Sequence, residues 1–217
     1  MELLPLLQLA APVMLRATGY TLFFAVSAMV LGLALGTLVA LLRVLRVPVL
    51  AQLARLYVSI FRGTPLLVQV FIVYYGLPSI GIEFSPVTAG ILALTLNVAA
   101  YLSESLRGAV SGIGQGQWLA GTSLGLTHVQ TLRYVVAPQA LRTAVPSLSN
   151  SLISLIKDTS LVSVIAVTEL MLATKELIST TFQPFPLYLA AAGVYWVLSL
   201  LFEQVQRVLE KRLAFPG

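Results

Sequence analysis

Apolar residues gather along this chain in long runs separated by short polar stretches. Windows of about 20 apolar residues, the length a helix needs to cross a hydrocarbon core, fall at 18–42, 56–77, 86–106, 146–172 and 186–205. The runs predict an all-α chain that crosses a membrane five times and forms a single membrane domain over 1–217. Between the third and fourth runs the pattern changes. Residues 116–145 are too polar to span, yet they carry helix punctuation instead of the composition of a disordered linker. Gly114 and Gly116 break the chain, 117–124 has helical composition, and Gly125 stands where a left-handed C-terminal cap is wanted. Thr127, with Gln130 three residues on, spells a capping box and predicts a second helix running to Ala137, where Pro138 interrupts it.

Trp118, Leu119, Leu124, Leu126, Val129 and Leu132 make this loop, about 107–145, more apolar than a water-facing segment needs. Either a partner covers them or they pack on the chain's own membrane helices. The leading residues 1–15 either lie in the outer interface as a short amphipathic segment or extend the first span. The first apolar run is too long for a signal-peptide core and lacks a small-residue cleavage site, so it is expected to be retained. Within it Gly32 and Gly36 form a small-xxx-small pair that permits close helix approach.

Charge orients the spans. Arg43, Arg46, Arg55, Arg62, Arg107, Arg133, Arg142, Arg207, Lys211 and Arg212 all fall on one side, which the positive-inside rule marks as cytoplasmic. The other side receives Glu2, Glu83, Glu169 and Glu176 against Arg16 and Lys175, so the N-terminus is expected outside and the C-terminus inside. Composition agrees: 58% of the 217 residues are hydrophobic and 10% charged, and a mean hydropathy of +0.94 excludes an ordinary soluble domain. The net charge of +5 is spread singly between apolar spans, which fits membrane orientation and not nucleic-acid binding. With no cysteine and a lone histidine, His128, the chain offers neither a disulfide framework nor a metal centre. No phosphate-cradling P-loop, nucleophile elbow or zinc-protease helix occurs, so the chain is read as not itself an enzyme.

The loop carries a resemblance. Leu119-Ala120-Gly121, Gly125, Val135 and Ala137-Pro138 keep the spacing of the EAA signature of ABC-importer permease subunits. Three flanking strings sharpen it: Phe61-Arg62-Gly63-Thr64-Pro65-Leu66-Leu67, then Ala100-Tyr101-Leu102-Ser103-Glu104 with Arg107-Gly108, then Lys157-Asp158-Thr159-Ser160-Leu161. Together they resemble the polar amino-acid branch of that family, over nearly the whole chain. The resemblance implies that Gln117, Trp118, Leu119, Ala120, Gly121, Gly125, Leu126 and Pro138 build a coupling loop that docks on a cytoplasmic ABC ATPase dimer. By the same resemblance ATP and Mg are expected on that partner, and no cofactor on this chain. It further implies a second permease subunit, identical or homologous, an extracytoplasmic solute-binding protein, and import of a polar or charged L-amino acid across a bacterial cytoplasmic membrane. One position departs: the family's acidic residue falls on Leu119, and 105–156 holds no Asp or Glu. Apolar packing through Trp118 and Leu119 is expected to replace the ion pair.

Polar groups inside apolar spans are costly and mark candidate sites. Asn97, Tyr101 and Glu104 recur at helical spacing on the third span, with Arg107 able to pair with Glu104. Asn97 and Tyr101 either face a pathway or bond between helices. On the fourth span Asn150, Ser154, Lys157 and Asp158, followed by Thr159 and Ser160, are expected near the route of the substrate. Lys157 and Asp158 point about 100° apart on a helix. Arg62, Gly63, Thr64 and Pro65 form a candidate hinge. The competing reading is a secondary amino-acid transporter or channel driven by an ion gradient, which predicts inverted repeats that this sequence lacks.

Overall fold

The computed structural model describes residues 3–213, and every regular element among them is helical. The first helix, α1 (Leu3–Val44), is 42 residues long. At 1.5 Å per residue that is about 63 Å, roughly twice a hydrocarbon core. The leading segment is therefore part of α1 from Leu3 on, and packing explains why it stays helical. Leu6, Ala10 and Met14, spaced by one turn, are buried against Leu170, Leu177, Leu187 and Ala191.

The fold centres on α1 packed along α4 (Pro86–Ser111). The glycine pair sets their approach. A Cβ at Gly36 would lie 2.9 Å from the Ala99 carbonyl oxygen and 3.1 Å from Leu102 Cβ, and one at Gly32 would lie 2.5 Å from Val98 Cγ1. Phe24, Ala25 and Ala28 of α1 meet Ala93, Leu94, Val98 and Leu102 of α4 in the main core, joined by Leu155 and Ile156.

The run at 56–77 is not one continuous helix. It divides into α2 (Leu50–Gly63) and α3 (Leu66–Phe71), the latter prolonged by a π turn, Ile72–Gly76, and a 3-10 turn, Leu77–Ile80. The two arms bend by 108°. Pro65 causes the break: it lacks an N–H and pushes Thr64 out of the helical region, to φ −122°, ψ 148°.

The loop folds as α5 (Gln115–Ser123) and α6 (His128–Thr131) around Gly125, whose φ of +78° is the left-handed turn that glycine permits. The capping box forms as expected, Thr127 Oγ1 accepting from the Gln130 N–H and Gln130 Oε1 from the Thr127 N–H. Pro138 does not interrupt the next helix. A π turn over Leu132–Val136, with the Ala137 N–H donating to the Leu132 carbonyl, absorbs the ring. The chain then continues as α7 (Ala137–Asp158) straight through Pro146. Nor is 146–172 one span: α7 ends at Asp158, a 3-10 segment runs Thr159–Ile165, Ala166 turns left-handed at φ 59°, and α8 (Leu170–Thr181) and α9 (Pro184–Leu213) follow.

Three described helices are long and apolar enough to cross a membrane, Leu4–Val44, Pro86–Ser111 and Pro184–Arg212, and the bent pair supplies a fourth candidate. The five uniform runs thus resolve into three unbroken candidate spans, a broken one, and α7, whose face carries serines, Asn150 and Asp158.

Candidate functional site

The break at Pro65 leaves carbonyls without helical donors, and two side-chain amides take them up. Gln69, buried on α3, donates from Nε2 to the Phe61 carbonyl (2.9 Å), the Thr64 carbonyl (3.2 Å) and Thr64 Oγ1 (2.9 Å). Asn97 on α4 donates from Nδ2 to the same Phe61 carbonyl (3.2 Å) and to Gln69 Oε1 (2.9 Å). Buried amides clamped on freed backbone fix the bend to α4. Sequence reasoning missed Gln69. Its signal was a lone amide four residues after a proline within an apolar run.

Beside this clamp lies a cavity of about 580 Å³, lined by Thr64, Pro65, Asn97, Tyr101, Asn150, Ser154 and Asp158 among others. Five expected pathway residues, Asn97, Tyr101, Asn150, Ser154 and Asp158, therefore meet in one groove with half of the candidate hinge. Ser147, Ser151, Ser154 and Asp158 follow at one-turn spacing down a single face of α7. The groove offers one carboxylate among amides and hydroxyls, a lining suited to a small polar solute. Lys157, Thr159 and Ser160 do not line it. Lys157 is exposed on a neighbouring face, Ser160 is half-buried, and Thr159 is buried with its hydroxyl donating to the Ile156 carbonyl at 2.7 Å.

Below the groove, Glu104 gathers arginines. Arg107 reaches it at 3.0 Å, Arg62 at 3.6 Å, and Arg43 of α1 bonds to its other oxygen. The pairing of Glu104 with Arg107 is found, and Arg43 adds a partner from 61 residues away. Arg62 also sets its guanidinium 5.3 Å from the Tyr101 ring centroid, a cation–π distance. Gly63 has open space around it.

A fully buried Glu169, also unexpected, joins three elements. It accepts from the Leu172 N–H (2.9 Å) as N-cap of α8 and from the Tyr195 hydroxyl of α9 (2.8 Å), while Thr21 of α1 accepts from the Leu170 N–H (3.2 Å). A buried carboxylate held this way ties the apolar helices together.

In the loop, Gly121 lies against α6: a Cβ there would come within 2.4 Å of Thr131 Cγ2. Trp118 stacks on His128, with centroids 4.6 Å apart and planes 16° off parallel. Gln117 Oε1 accepts from Gln139 Nε2 at 3.1 Å, bracing α5 on α7. Leu126 is half-buried, and Ala120 and Pro138 are exposed. The two alternatives for the apolar side chains divide: Leu132 packs inward, whereas Leu119, Leu124 and Val129 are 65%, 81% and 58% exposed. Those three side chains are left uncovered by the described residues.

Comparison with known proteins places this geometry. Residues 28–215 match the family described as binding-protein-dependent transport system inner membrane component. The chain is 40% identical over 203 residues to a probable amino-acid ABC transporter permease protein, YckA, of Bacillus subtilis, covering 94% of this chain and 90% of that one. It is 42% identical over 205 residues to PatM of Vibrio harveyi, another probable amino-acid ABC transporter permease, covering 93% and 92%. A solved structure described as an amino acid ABC transporter with histidines superposes at a TM-score of 0.92 with 32% identity, over 98% of this chain and 99% of that chain. The MetNI methionine ABC transporter, at 19% identity and a TM-score of 0.75, shares the fold. The chain belongs to the family of binding-protein-dependent transport system inner membrane components: it is the membrane permease subunit of an ATP-driven importer whose ATP is hydrolysed by a partner subunit.

Proposed function

We propose that this permease imports a polar or charged L-amino acid, delivered by an extracytoplasmic solute-binding protein, across a bacterial cytoplasmic membrane. The observation that carries the substrate class is the 40–42% identity, along nearly the full chain, to permeases described as amino-acid transporters. The chain crosses the bilayer five times, by α1, the broken α2–α3 arm, α4, α7 and α9, with its N-terminus outside and C-terminus inside. The distribution of arginines supports that orientation. The groove over α4 and α7 forms half of the pathway, and a second permease subunit, identical or homologous, closes it. Asp158 receives the substrate ammonium, while Asn150, Ser154 and Tyr101 contact its polar groups. Lys157, on the adjacent exposed face, is placed for the second subunit. ATP and Mg act on a cytoplasmic ATPase dimer, against which Leu119, Leu124 and Val129 dock. Closure of that dimer moves α5 and tilts the helices between two packings, with Pro65 as hinge.

The test is ATP hydrolysis by the assembled transporter in nanodiscs, with its binding protein loaded from a panel of amino acids. Stimulation by a polar or charged L-amino acid supports the reading. No stimulation by any amino acid of the panel, with stimulation when sugars or oligopeptides are loaded instead, would overturn the substrate class. Asp158→Asn should lower the apparent affinity of uptake; unchanged affinity and rate would remove Asp158 from the site.

A further inference from the structure

A second cavity, about 530 Å³, lies where α1 ends and α2 begins, and four arginines line it: Arg43, Arg46, Arg55 and Arg107. No acidic side chain does. Arg43 and Arg107 are engaged by Glu104, which also holds Arg62. Arg46 and Arg55 are exposed and form no ion pair among the described residues; Arg55 Nε bonds only to the Ala51 carbonyl of its own helix. Four guanidinium groups thus line a concave surface, and the carboxylate of Glu104 pairs with only two of them. Such a place has a strong positive potential and calls for an anion with oxygens that accept forked N–H donors.

The surroundings say which anion. The cavity opens at the end of the 42-residue apolar helix α1, where Arg43 and Arg46 close its apolar run, the position at which the positive-inside rule puts a span end among headgroups. Its other wall is α2, which turns by 108° from the arm that follows it. At 100° per residue, Gln52 and Arg55 on the cavity side of α2 adjoin a stripe of Leu53, Leu56 and Ile60, which are 56%, 58% and 50% exposed. Its opposite side, Ala54 and Val58, is buried against Val39 and Ala100. An amphipathic helix with an exposed apolar stripe beside a basic pocket matches a lipid, whose phosphate enters the pocket while its acyl chains lie along the stripe. A soluble anion has no use for the stripe.

We propose that this cavity is a binding site for the phosphate of an anionic phospholipid, held by Arg46 and Arg55 with Arg43 and Arg107 behind them. Neutral or zwitterionic lipids lack the net charge that the unpaired guanidinium groups select. The Glu104 network links the pocket to Arg62 beside Pro65, so an occupied pocket braces the hinge. The lipid site needs only that the chain sits in a membrane; transport does not enter its test.

The experiment is native mass spectrometry of the purified transporter released from nanodiscs of equal parts phosphatidylglycerol and phosphatidylcholine. The parent protein should retain phosphatidylglycerol preferentially. Arg46→Gln with Arg55→Gln should weaken retention by about fivefold per arginine, the factor that about one kilocalorie per cationic residue near a membrane surface implies. Arg46→Lys with Arg55→Lys, which keeps the charge but not the forked donors, should retain more lipid than the glutamine pair and less than the parent, which separates lost charge from lost fold. Arg207→Gln, at the far end of α9, should change nothing. Equal phosphatidylglycerol retention in the parent and the double glutamine variant would overturn the proposal. So would displacement of the lipid by millimolar inorganic phosphate, which would make the cavity a free-anion site. Unchanged lipid retention with impaired ATPase assembly would assign the arginines to a protein partner instead.

Discussion

Removing the Gln69 side chain should loosen the break between α2 and α3 by an amount the structure lets us work out. In Gln69→Leu the Phe61 carbonyl keeps Asn97 Nδ2 as its donor at 3.2 Å, and Thr64 Oγ1 keeps its bond to the Ile60 carbonyl at 2.8 Å. Two losses have no substitute: the donor to the Thr64 carbonyl and the acceptor for Asn97 Nδ2. At about 1 kcal/mol per net hydrogen bond, rising where the orphaned group stays dry, the cost is about 2–3 kcal/mol. Asn97→Leu also breaks two bonds and strands Gln69 Oε1, costing about 2 kcal/mol on the same scale. Because both variants remove the one bond between the amides, the double variant should fall short of the sum by about 1 kcal/mol. Thermal unfolding of the detergent-solubilised protein reads this directly, since about 2–4 °C per kcal/mol puts Gln69→Leu about 4–12 °C below the parent. Strict additivity, within about 0.3–0.5 kcal/mol, or a Gln69→Leu variant as stable as the parent, would refute the amide clamp.

Glu104→Gln leaves Arg43, Arg62 and Arg107 facing one another without an anion. It should cost about 2–4 kcal/mol, set somewhat below the roughly 3–5 kcal/mol for breaking a buried pair because Arg62 and Arg107 are partly exposed. The deficit should shrink in high salt; a melting temperature unmoved by the substitution would contradict the hub. Gly36→Ala drives a methyl group into the Ala99 backbone and should cost about 1–3 kcal/mol. Gly63→Ala, in open space, should change stability by less than about 1 kcal/mol, so the two melting curves test whether close helix approach, not glycine content, sets the packing. Leu119→Ala and Trp118→Ala should each weaken retention of the ATPase about tenfold or more if their apolar area is buried on docking. Unchanged copurification and coupled ATP hydrolysis would remove them from the interface.

Local rules read much of this molecule from sequence. The capping box at Thr127, the left-handed turn at Gly125 and the pairing of Glu104 with Arg107 depend on residues within four positions of each other, where backbone geometry leaves little choice. Pro65 was legible as a break for the same reason. Pro138 was not legible, because a π turn upstream can absorb a proline ring, and nothing in Leu132–Val136 announces one. The span at 146–172 misled because apolar composition does not distinguish a continuous helix from a 3-10 segment and a left-handed turn at Ala166. The partners of Gln69, Arg43 and Glu169 were hidden for another reason: each acts through a residue at least 26 positions away on a different element. Only the packing of α1 and α3 on α4, and of α8 on α9, makes those meetings possible. The groove residues Asn97, Tyr101, Asn150, Ser154 and Asp158 could be named because polar groups in apolar helices are few. That Lys157, Thr159 and Ser160 turn away follows from helix phase and the change to 3-10 geometry after Asp158.

The central claim, that this chain is the permease of an ATP-driven amino-acid importer, is tested most directly by accumulation of radiolabelled amino acids in proteoliposomes. The vesicles carry this chain, its partner permease if distinct, and the ATPase, with binding protein outside. Accumulation of a polar or charged L-amino acid only when ATP is enclosed is the predicted result. Accumulation driven by an imposed ion gradient, with the ATPase left out, would contradict it.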